Sequence, residues 1–156
     1  MAVWLATESD SSSRGGRDTP TAASIIDAVT SVDAAGDPFP GLTETTVSVG
    51  DERLRVVLAD APDERSQGLR RRETLGPYDG MLFVYLEPVE TSFTMSTVPV
   101  PLDIAFYGAD GRVVSRLRME PCAGTEAECP LYRPGGEFVY ALETLADELP
   151  RGRLAG

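Results

Sequence analysis

Short apolar runs separated by turn sequences are the feature of this chain that most restricts its fold. In "TTVSVGDERLRVVLA", Val47 and Val49 alternate with polar residues before the turn, and Leu54, Val56 and Leu58 repeat the pattern after it. Alternation with a period of two is typical of half-buried strands, and a short polar turn with Gly joins them as a hairpin. The segment therefore predicts two antiparallel strands.

Further strand signals follow later in the chain. The run "MLFVYL" is continuously apolar and "TSFTM" alternates, whereas "GADG" separates "LDIAFY" from "RVVSRLRM" as a second hairpin turn, and "EFVYALE" gives a last strand. Together these segments predict a mainly β fold, α+β at the margin, as a compact barrel- or sandwich-like domain of about seven short strands with one short helix.

The predicted helix lies in "DAPDERSQGLRRRETL". Asp60 is a candidate N-cap, Pro62 suits the first turn and the arginines suit the last. The pattern predicts a helix from about Ala61 to Arg71. Its apolar face is thin, so we expect it to lie across a barrel mouth or a sheet edge.

Composition divides the chain into three parts. Residues 1–41 are rich in Ser, Gly, Asp and Thr and predict a flexible N-terminal tail, a tether with one short helix around "AASIIDAVTSVDAAG". Residues 42–149 form the predicted β-rich domain, and residues 150–156 a C-terminal tail. No apolar run reaches the length of a transmembrane segment, and "MAVWLA" is too short to be a complete signal peptide.

The charge of the chain restricts its function. The formal net charge is −11, every basic residue is Arg, and neither Lys nor His occurs. An acidic chain is a poor partner for nucleic acid. Without His or Lys there is no Ser-His-Asp triad, no Schiff base and no imidazole ligand for zinc. We therefore expect no cofactor and no metal, and the chemistry favours a non-catalytic protein.

Two cysteines, Cys122 and Cys129, enclose the acidic segment "CAGTEAEC". Their spacing does not fit a C-x-x-C redox motif, and two thiolates do not complete a zinc site. A disulfide that closes a short loop is the preferred interpretation, worth about 2–3 kcal/mol. Because such bonds persist outside the reducing cytosol, we expect an extracellular or cell-envelope location.

Several blocks in order resemble the family called domain of unknown function 192. Its block of Arg, two residues, Gly-Leu and then Arg and Leu is matched in "ADAPDERSQGLRRRETL", and "GMLFVY", "PLDIAFYGADGRVVS", "MEPC", "CPLY" and "YALE" match its later blocks. The resemblance covers about residues 45–145. It implies a compact β-barrel-like domain, often exported or membrane-tethered, and no established activity.

One block departs from the family pattern. Before Pro-Leu-Asp, the family usually has Phe-Trp-Met followed by a basic residue, Asn and Thr. This chain has Phe93, Thr94, Met95, Ser96 and Thr97 at those positions, so the second aromatic residue, the cation and the amide are absent. If those groups line a family binding site, this chain has lost part of it or binds another ligand.

The polar candidates for a ligand site are Arg65, Arg72, Ser96, Thr97 and Asp103. Two guanidinium groups are suited to hold a carboxylate, phosphate or sulfate while Asp103 orients a donor. The competing interpretation is structural: Asp103 pairs with Arg65 or caps backbone groups and fixes the helix to the sheet.

Two further alternatives concern carboxylates and apolar side chains. Glu120 and Glu143 suggest two-carboxylate hydrolysis, although in a chain with 25 acidic residues a solvated surface position is the simpler interpretation. An apolar set is suited either to line a pocket or, as we prefer, to form the core: Met81, Phe83, Tyr85, Phe93, Met95, Phe106 and Tyr140.

These observations favour an exported, monomeric binding or accessory module. It would recognise a small molecule or an envelope protein at a cleft near Arg65, Arg72 and residues 96–103, and it would have no catalytic residue. The alternative is a carboxylate-dependent hydrolase acting on envelope carbohydrate, and a third interpretation is a structural domain without a ligand. An enzyme of the second kind requires two acids about 5–10 Å apart in a cleft.

Overall fold

The structure is a computed structural model that describes Ile25 and residues 32–156. The predicted helix in the N-terminal tail therefore lies mostly outside the described residues. In chain order the elements are β1 (Asp33–Ala34), β2 (Thr43–Val49), β3 (Glu52–Ala59), α1 (Pro62–Gln67), β4 (Gly80–Val89), β5 (Phe93–Thr94), β6 (Leu102–Tyr107), β7 (Val113–Met119), β8 (Leu131–Tyr132), β9 (Phe138–Leu145) and β10 (Leu154–Ala155).

One mixed sheet contains eight of these strands. Its order is β1-β2-β3-β4-β9-β6-β7, with β10 also paired to β2, and β5 and β8 form a separate two-stranded sheet. The predicted mainly β class with one short helix is confirmed. Among the described residues the large sheet does not close on itself, so the barrel form of the prediction is not supported and a sandwich-like arrangement remains.

Both predicted hairpins are present. Strands β2 and β3 pair with Val47 opposite Leu54, and β6 and β7 pair with Ile104 opposite Leu117. Strand pairing also extends beyond the predicted domain limits of 42 and 149, because β1 and β10 both pair with β2. Within the described part of the chain, no helix has the length and apolar character needed to cross a membrane.

The connection between β3 and β4 positions the helix. These strands are parallel, with Val56 opposite Gly80, whereas the other pairs are antiparallel. Parallel neighbours require a crossover, and here residues 60–79 supply it with α1 at its start. The helix is therefore held over one face of the sheet, beside the ends of β3 and β4.

The helix is shorter than the predicted span from Ala61 to Arg71. It ends after Gln67 because Gly68 leaves the helical conformation with φ +46°, and a Cβ at Gly68 would lie 3.3 Å from the Phe83 ring. The N-terminus also differs, since the Glu64 carboxylate accepts the backbone N–H groups of Asp60 and Ala61, each at 3.1 Å. Asp60 is therefore not the capping side chain.

The central strands bury side chains on both faces. Val57, Phe83 and Phe106 belong to one apolar cluster. The same cluster contains Leu69 from the crossover and Phe138 from β9. The residues next to them along the strands point to a second cluster that contains Val56, Leu82, Tyr107, Tyr140 and Leu142. Burial on both faces explains why "MLFV" and "IAFY" are continuously apolar instead of alternating.

Candidate functional site

A cleft of about 380 Å³ opens beside α1, on the face of the sheet that carries the cluster with Phe83 and Phe106. Residues of α1 and the turn after it, from 62 to 70, form one wall. The second wall comes from residues 91–94 and the disulfide loop, and side chains of β4 and β9 form the floor. The cleft therefore lies where the β3–β4 crossover meets the small β5–β8 sheet.

Glu143 lies on this floor. It is on β9 between β4 and β6, opposite Met81 and Ile104 in the two ladders, and it is only 5% exposed. Among the described residues its carboxyl group has neither a hydrogen bond nor an ion pair. Burial raises the pKa of Glu143 to about 8, because the charged form loses its hydration. The sequence prediction of a solvated surface position is wrong for Glu143, whereas Glu120 is exposed.

Arg65 and Tyr85 line the cleft with Glu143. The Arg65 guanidinium carbon lies 4.8 Å from the centre of the Tyr85 ring, and Nη1 donates to the carbonyl of Val84 at 3.1 Å and to that of Asp60. The pKa of Tyr85 is raised, first by burial, with Arg65 opposing the shift and Glu143 adding to it. The cleft thus combines an aromatic ring and a buried acid on its floor with a cation from the α1 wall.

Arg70 connects two segments of the chain at the rim of the cleft. Its Nη1 donates to the Ser96 carbonyl at 3.2 Å, and its Nη2 donates to the Glu126 carboxylate. The Glu126 side chain is 69% exposed, so this acid is at the solvent edge and not on the floor. An exposed pair of this kind stabilises little, but it links the turn after α1 to the disulfide loop.

The disulfide loop forms part of the wall. Cys122 and Cys129 are bonded, with their Cα atoms 6.0 Å apart. The loop is attached to the segment before β6, because Ser96 Oγ donates to the Gly124 carbonyl at 2.7 Å and the Thr97 N–H donates to the Cys122 carbonyl at 2.8 Å. Ser96 and Thr97 therefore support the wall from behind and do not line the cleft.

Two of the predicted ligand residues lie elsewhere. The Arg72 guanidinium stacks on the Phe39 ring at 4.9 Å and donates to the Pro38 carbonyl. Asp103 is on the opposite face of β6, where Arg118 Nε donates to it at 2.5 Å. The structure therefore brings Arg65 to the cleft but does not bring Arg65, Arg72 and Asp103 together.

Asp103 has a structural role in its own surroundings. Its carboxylate also accepts the backbone N–H of Asp147 at 2.8 Å, so it holds the segment between β9 and β10. Burial pushes the pKa of Asp103 up, but the hydrogen bonds from Arg118 and from the Asp147 backbone outweigh it, and the pKa is below its ordinary value. The ion pair is with Arg118 and not with Arg65, the partner that the structural interpretation of the sequence named.

Acidic and sulfur-containing side chains are the candidate metal ligands of this chain, which has no His. Within the part of the chain that the structure describes, no group of three His, Cys, Asp or Glu side chains is arranged to hold a metal ion. The two acids of the cleft, Glu143 and Glu126, are on its floor and its rim, respectively. The chemistry available at the site is therefore that of one buried carboxyl group, two guanidinium groups and aromatic rings.

Comparison with known proteins gives a family and a fold. The model of the DUF192 family, described as Uncharacterized ACR, matches residues 45–154. No curated protein matches the chain. A solved protein of unknown function from Novosphingobium aromaticivorans is similar, with 25% identity, a TM-score of 0.64 and coverage of 83% of this chain and 96% of that chain.

A second solved structure gives the same result. It is a protein from Sinorhizobium meliloti described as a candidate transcription regulator, and it shares 27% identity with a TM-score of 0.62. The match covers 72% of this chain and 92% of that chain. Each match therefore spans almost the whole length of the solved protein.

Proposed function

This chain belongs to the uncharacterised DUF192 family, and we propose that it is a binding or accessory module that holds a small molecule in the cleft beside α1. The observation that carries the proposal is Glu143, a buried carboxyl group on the cleft floor without a hydrogen bond or ion pair among the described residues. Glu143 lines the cleft, so a molecule that enters the cleft reaches this carboxyl group, and a group that pairs with it adds to the binding free energy.

The composition of the cleft supports binding more than turnover. Small-molecule sites combine apolar and aromatic walls with a few fixed polar groups. Here Phe83 and Tyr85 on the floor and Phe93 on the wall supply the aromatic surface, and Arg65 is fixed by its two backbone acceptors. The net charge of −11 argues against DNA as the ligand, so the regulator description of the Sinorhizobium protein gives no support to DNA binding here.

A bulky side chain at the cleft rim provides the test. We expect Thr91→Trp, on the exposed rim, to abolish the thermal shift produced by any hit from a screen of small metabolites, because the indole ring occupies the opening. The control is Thr46→Trp, the same change at an exposed position of β2 outside the cleft. If the shift of every hit survives in Thr91→Trp, or if the screen gives no hit, the proposal is contradicted.

A hydrolase is the second candidate, and Glu143 is also the observation that favours it. A carboxyl group with a pKa of about 8 is protonated near neutral pH and is suited to act as a general acid. Among the residues that the structure describes, the other acid that lines the cleft is Glu126, which is exposed and paired with Arg70. Turnover of an envelope carbohydrate that is lost in Glu143→Gln would favour the hydrolase over the binding module.

We also propose that the protein functions outside the reducing cytosol, in the envelope or the extracellular space. The Cys122–Cys129 disulfide supports this location, because such bonds are rare in the cytosol. We expect protein taken directly from its native cells into an alkylating agent to carry no label at either cysteine, as read by mass spectrometry. A sample reduced before alkylation is the control, and complete labelling without reduction would contradict the location.

A further inference from the structure

The carboxyl group of Glu143, on the floor of the cleft, is a hydrogen-bond acceptor to which no group in the described part of the chain donates. Glu143 is 5% exposed and lies between two apolar neighbours, Met81 on β4 and Ile104 on β6. A carboxyl group that must ionise at such a position is strongly destabilised unless a cation accompanies it. The position therefore favours a partner that brings a positive charge.

The cations that line the cleft have other partners. Arg65 directs Nη1 to the carbonyls of Val84 and Asp60 and stacks on Tyr85, and Arg70 is bonded to the Ser96 carbonyl and to Glu126. The sequence contains neither Lys nor His. An ammonium group beside Glu143 would therefore come from a bound molecule and not from a side chain of this protein.

The aromatic lining of the cleft suits the rest of such a molecule. Phe83 on the floor and Phe93 on the wall pack edge to face with their centroids 5.1 Å apart and provide an apolar surface. Tyr85 already carries a guanidinium over its ring, which is the contact that aromatic faces make with cations. At longer range, the net charge of −11 attracts cations and repels anions.

From this geometry we infer that the cleft takes a small organic amine, whose ammonium group pairs with Glu143 and whose apolar part lies against Phe83 and Phe93. The inference rests on the proposed binding function and names its ligand class. An anionic ligand would reach the N–H groups that Arg65 leaves unbonded, but the net charge of −11 opposes its approach, whereas an ammonium group is attracted by that charge and meets a carboxyl group that has no partner among the described residues.

The pairing makes binding depend on pH. In the described part of the chain, the charged or titratable groups that share the cleft with Glu143 are Tyr85 from β4, Arg65 from α1, Arg70 from the turn after it and Glu126 from the disulfide loop. Because burial raises the pKa of Glu143 to about 8, the carboxyl is protonated near neutral pH and must release its proton to pair with an ammonium group. The affinity for an amine should rise up to about tenfold per pH unit below that pKa and level off above it.

Three probes of nearly the same shape test the inference by isothermal titration calorimetry on the full chain. Benzylamine, benzyl alcohol and benzoate share one ring and differ only in a cationic, neutral or anionic head group. We expect benzylamine to bind most tightly and to bind about tenfold more tightly at pH 7 than at pH 6. In Glu143→Gln the affinity for benzylamine should fall at least about tenfold at pH 8, since the charge-assisted bond is lost.

Glu120→Gln is the matched control, because it removes the same charge from an exposed position outside the cleft. It should leave the affinity for benzylamine within about twofold. If benzyl alcohol or benzoate binds as tightly as benzylamine, or if Glu143→Gln has no effect, the ligand class is wrong while the binding function stands. If none of the three probes binds, and the metabolite screen also gives no hit at the cleft, the binding function itself is overturned.

Discussion

Glu143→Gln is expected to stabilise the folded protein by several kcal/mol at alkaline pH and to change its stability little near pH 4. The cause is the buried carboxyl group, whose pKa is raised from the ordinary 4.5 to about 8 in the folded state. In the unfolded chain the group loses its proton near 4.5, whereas the folded protein keeps it up to about 8. Between these values the unfolded state binds fewer protons, so rising pH favours unfolding.

The size of the effect follows from the width of this pH window. Each unit of pKa difference corresponds to about 1.4 kcal/mol, so the full cost of ionising Glu143 is on the order of 5 kcal/mol. Glutamine has nearly the same shape and no charge, and it removes this cost. Its own buried amide leaves a constant contribution that does not vary with pH.

Urea denaturation of both proteins from about pH 4 to about pH 9 measures the difference directly. We expect the free energy of unfolding of the variant, relative to the unsubstituted protein, to grow by about 1.4 kcal/mol per pH unit and to level off above the folded-state pKa. Glu120→Gln should show no such slope, because Glu120 is exposed. A difference between the Glu143 proteins that stays constant with pH would mean that the carboxyl group is ionised inside the fold.

This experiment also separates a binding role from a structural one. A residue that only supports the fold loses stability when it is replaced, whereas Glu143→Gln should gain stability and lose affinity for an amine. Strained or destabilising groups are typical of functional sites, because the optimum for binding is not the optimum for folding. Opposite signs in the two measurements would identify Glu143 as a ligand-binding residue.

The sequence predicts the regular part of this fold well. The turns "GDE" and "GADG" and the apolar alternation around them define two hairpins, which the structure contains with the pairs Val47–Leu54 and Ile104–Leu117. Strand β5 lies inside the alternating segment "TSFTM", whereas the two-residue strands β1, β8 and β10 have no such signal, because two residues do not form a period. Their pairing depends on where the rest of the chain places them.

The site was harder to predict, although part of the signal was present. Asp103 alternates with Leu102 and Ile104, so the period of β6 alone puts its side chain on the face opposite those two residues. In the same way, Glu143 follows Ala141 with the period of a strand and belongs to the inward face of β9. An acid at an inward position of an apolar strand indicates a buried carboxyl group, and this signal distinguishes Glu143 from Glu120.

What no sequence pattern contains is the position of the crossover. Arg65 lies in α1 and lines the cleft. The helix ends before Gly68, close to the Phe83 ring, so Arg72 lies beyond the helix and stacks on Phe39. Gly68 is a local signal for that termination, because glycine accepts a positive φ at the end of a helix. The arginines of the apparent last turn favoured a longer helix, and the glycine outweighed them.

Phe138→Ala is expected to destabilise the protein by about 3–5 kcal/mol, the usual cost of removing a fully buried aromatic ring. Phe138 is fully buried, with ring centroids 4.8 Å from Phe106 and 5.3 Å from Tyr85. Both contacts are edge to face, an arrangement that adds to the free energy of burial. The ring thus supports the aromatic floor of the cleft from below.

Urea denaturation at one pH measures this loss, with Leu86→Ala as the control. Leu86 is a large apolar residue that is fully exposed, so its truncation should change the free energy of unfolding by less than about 0.5 kcal/mol. We also expect Phe138→Ala to weaken ligand binding at the cleft, because Tyr85 loses the ring that fixes its position. A loss of stability below about 1 kcal/mol would show that the aromatic cluster rearranges to fill the space, since the cost of a cavity depends on how far its surroundings relax.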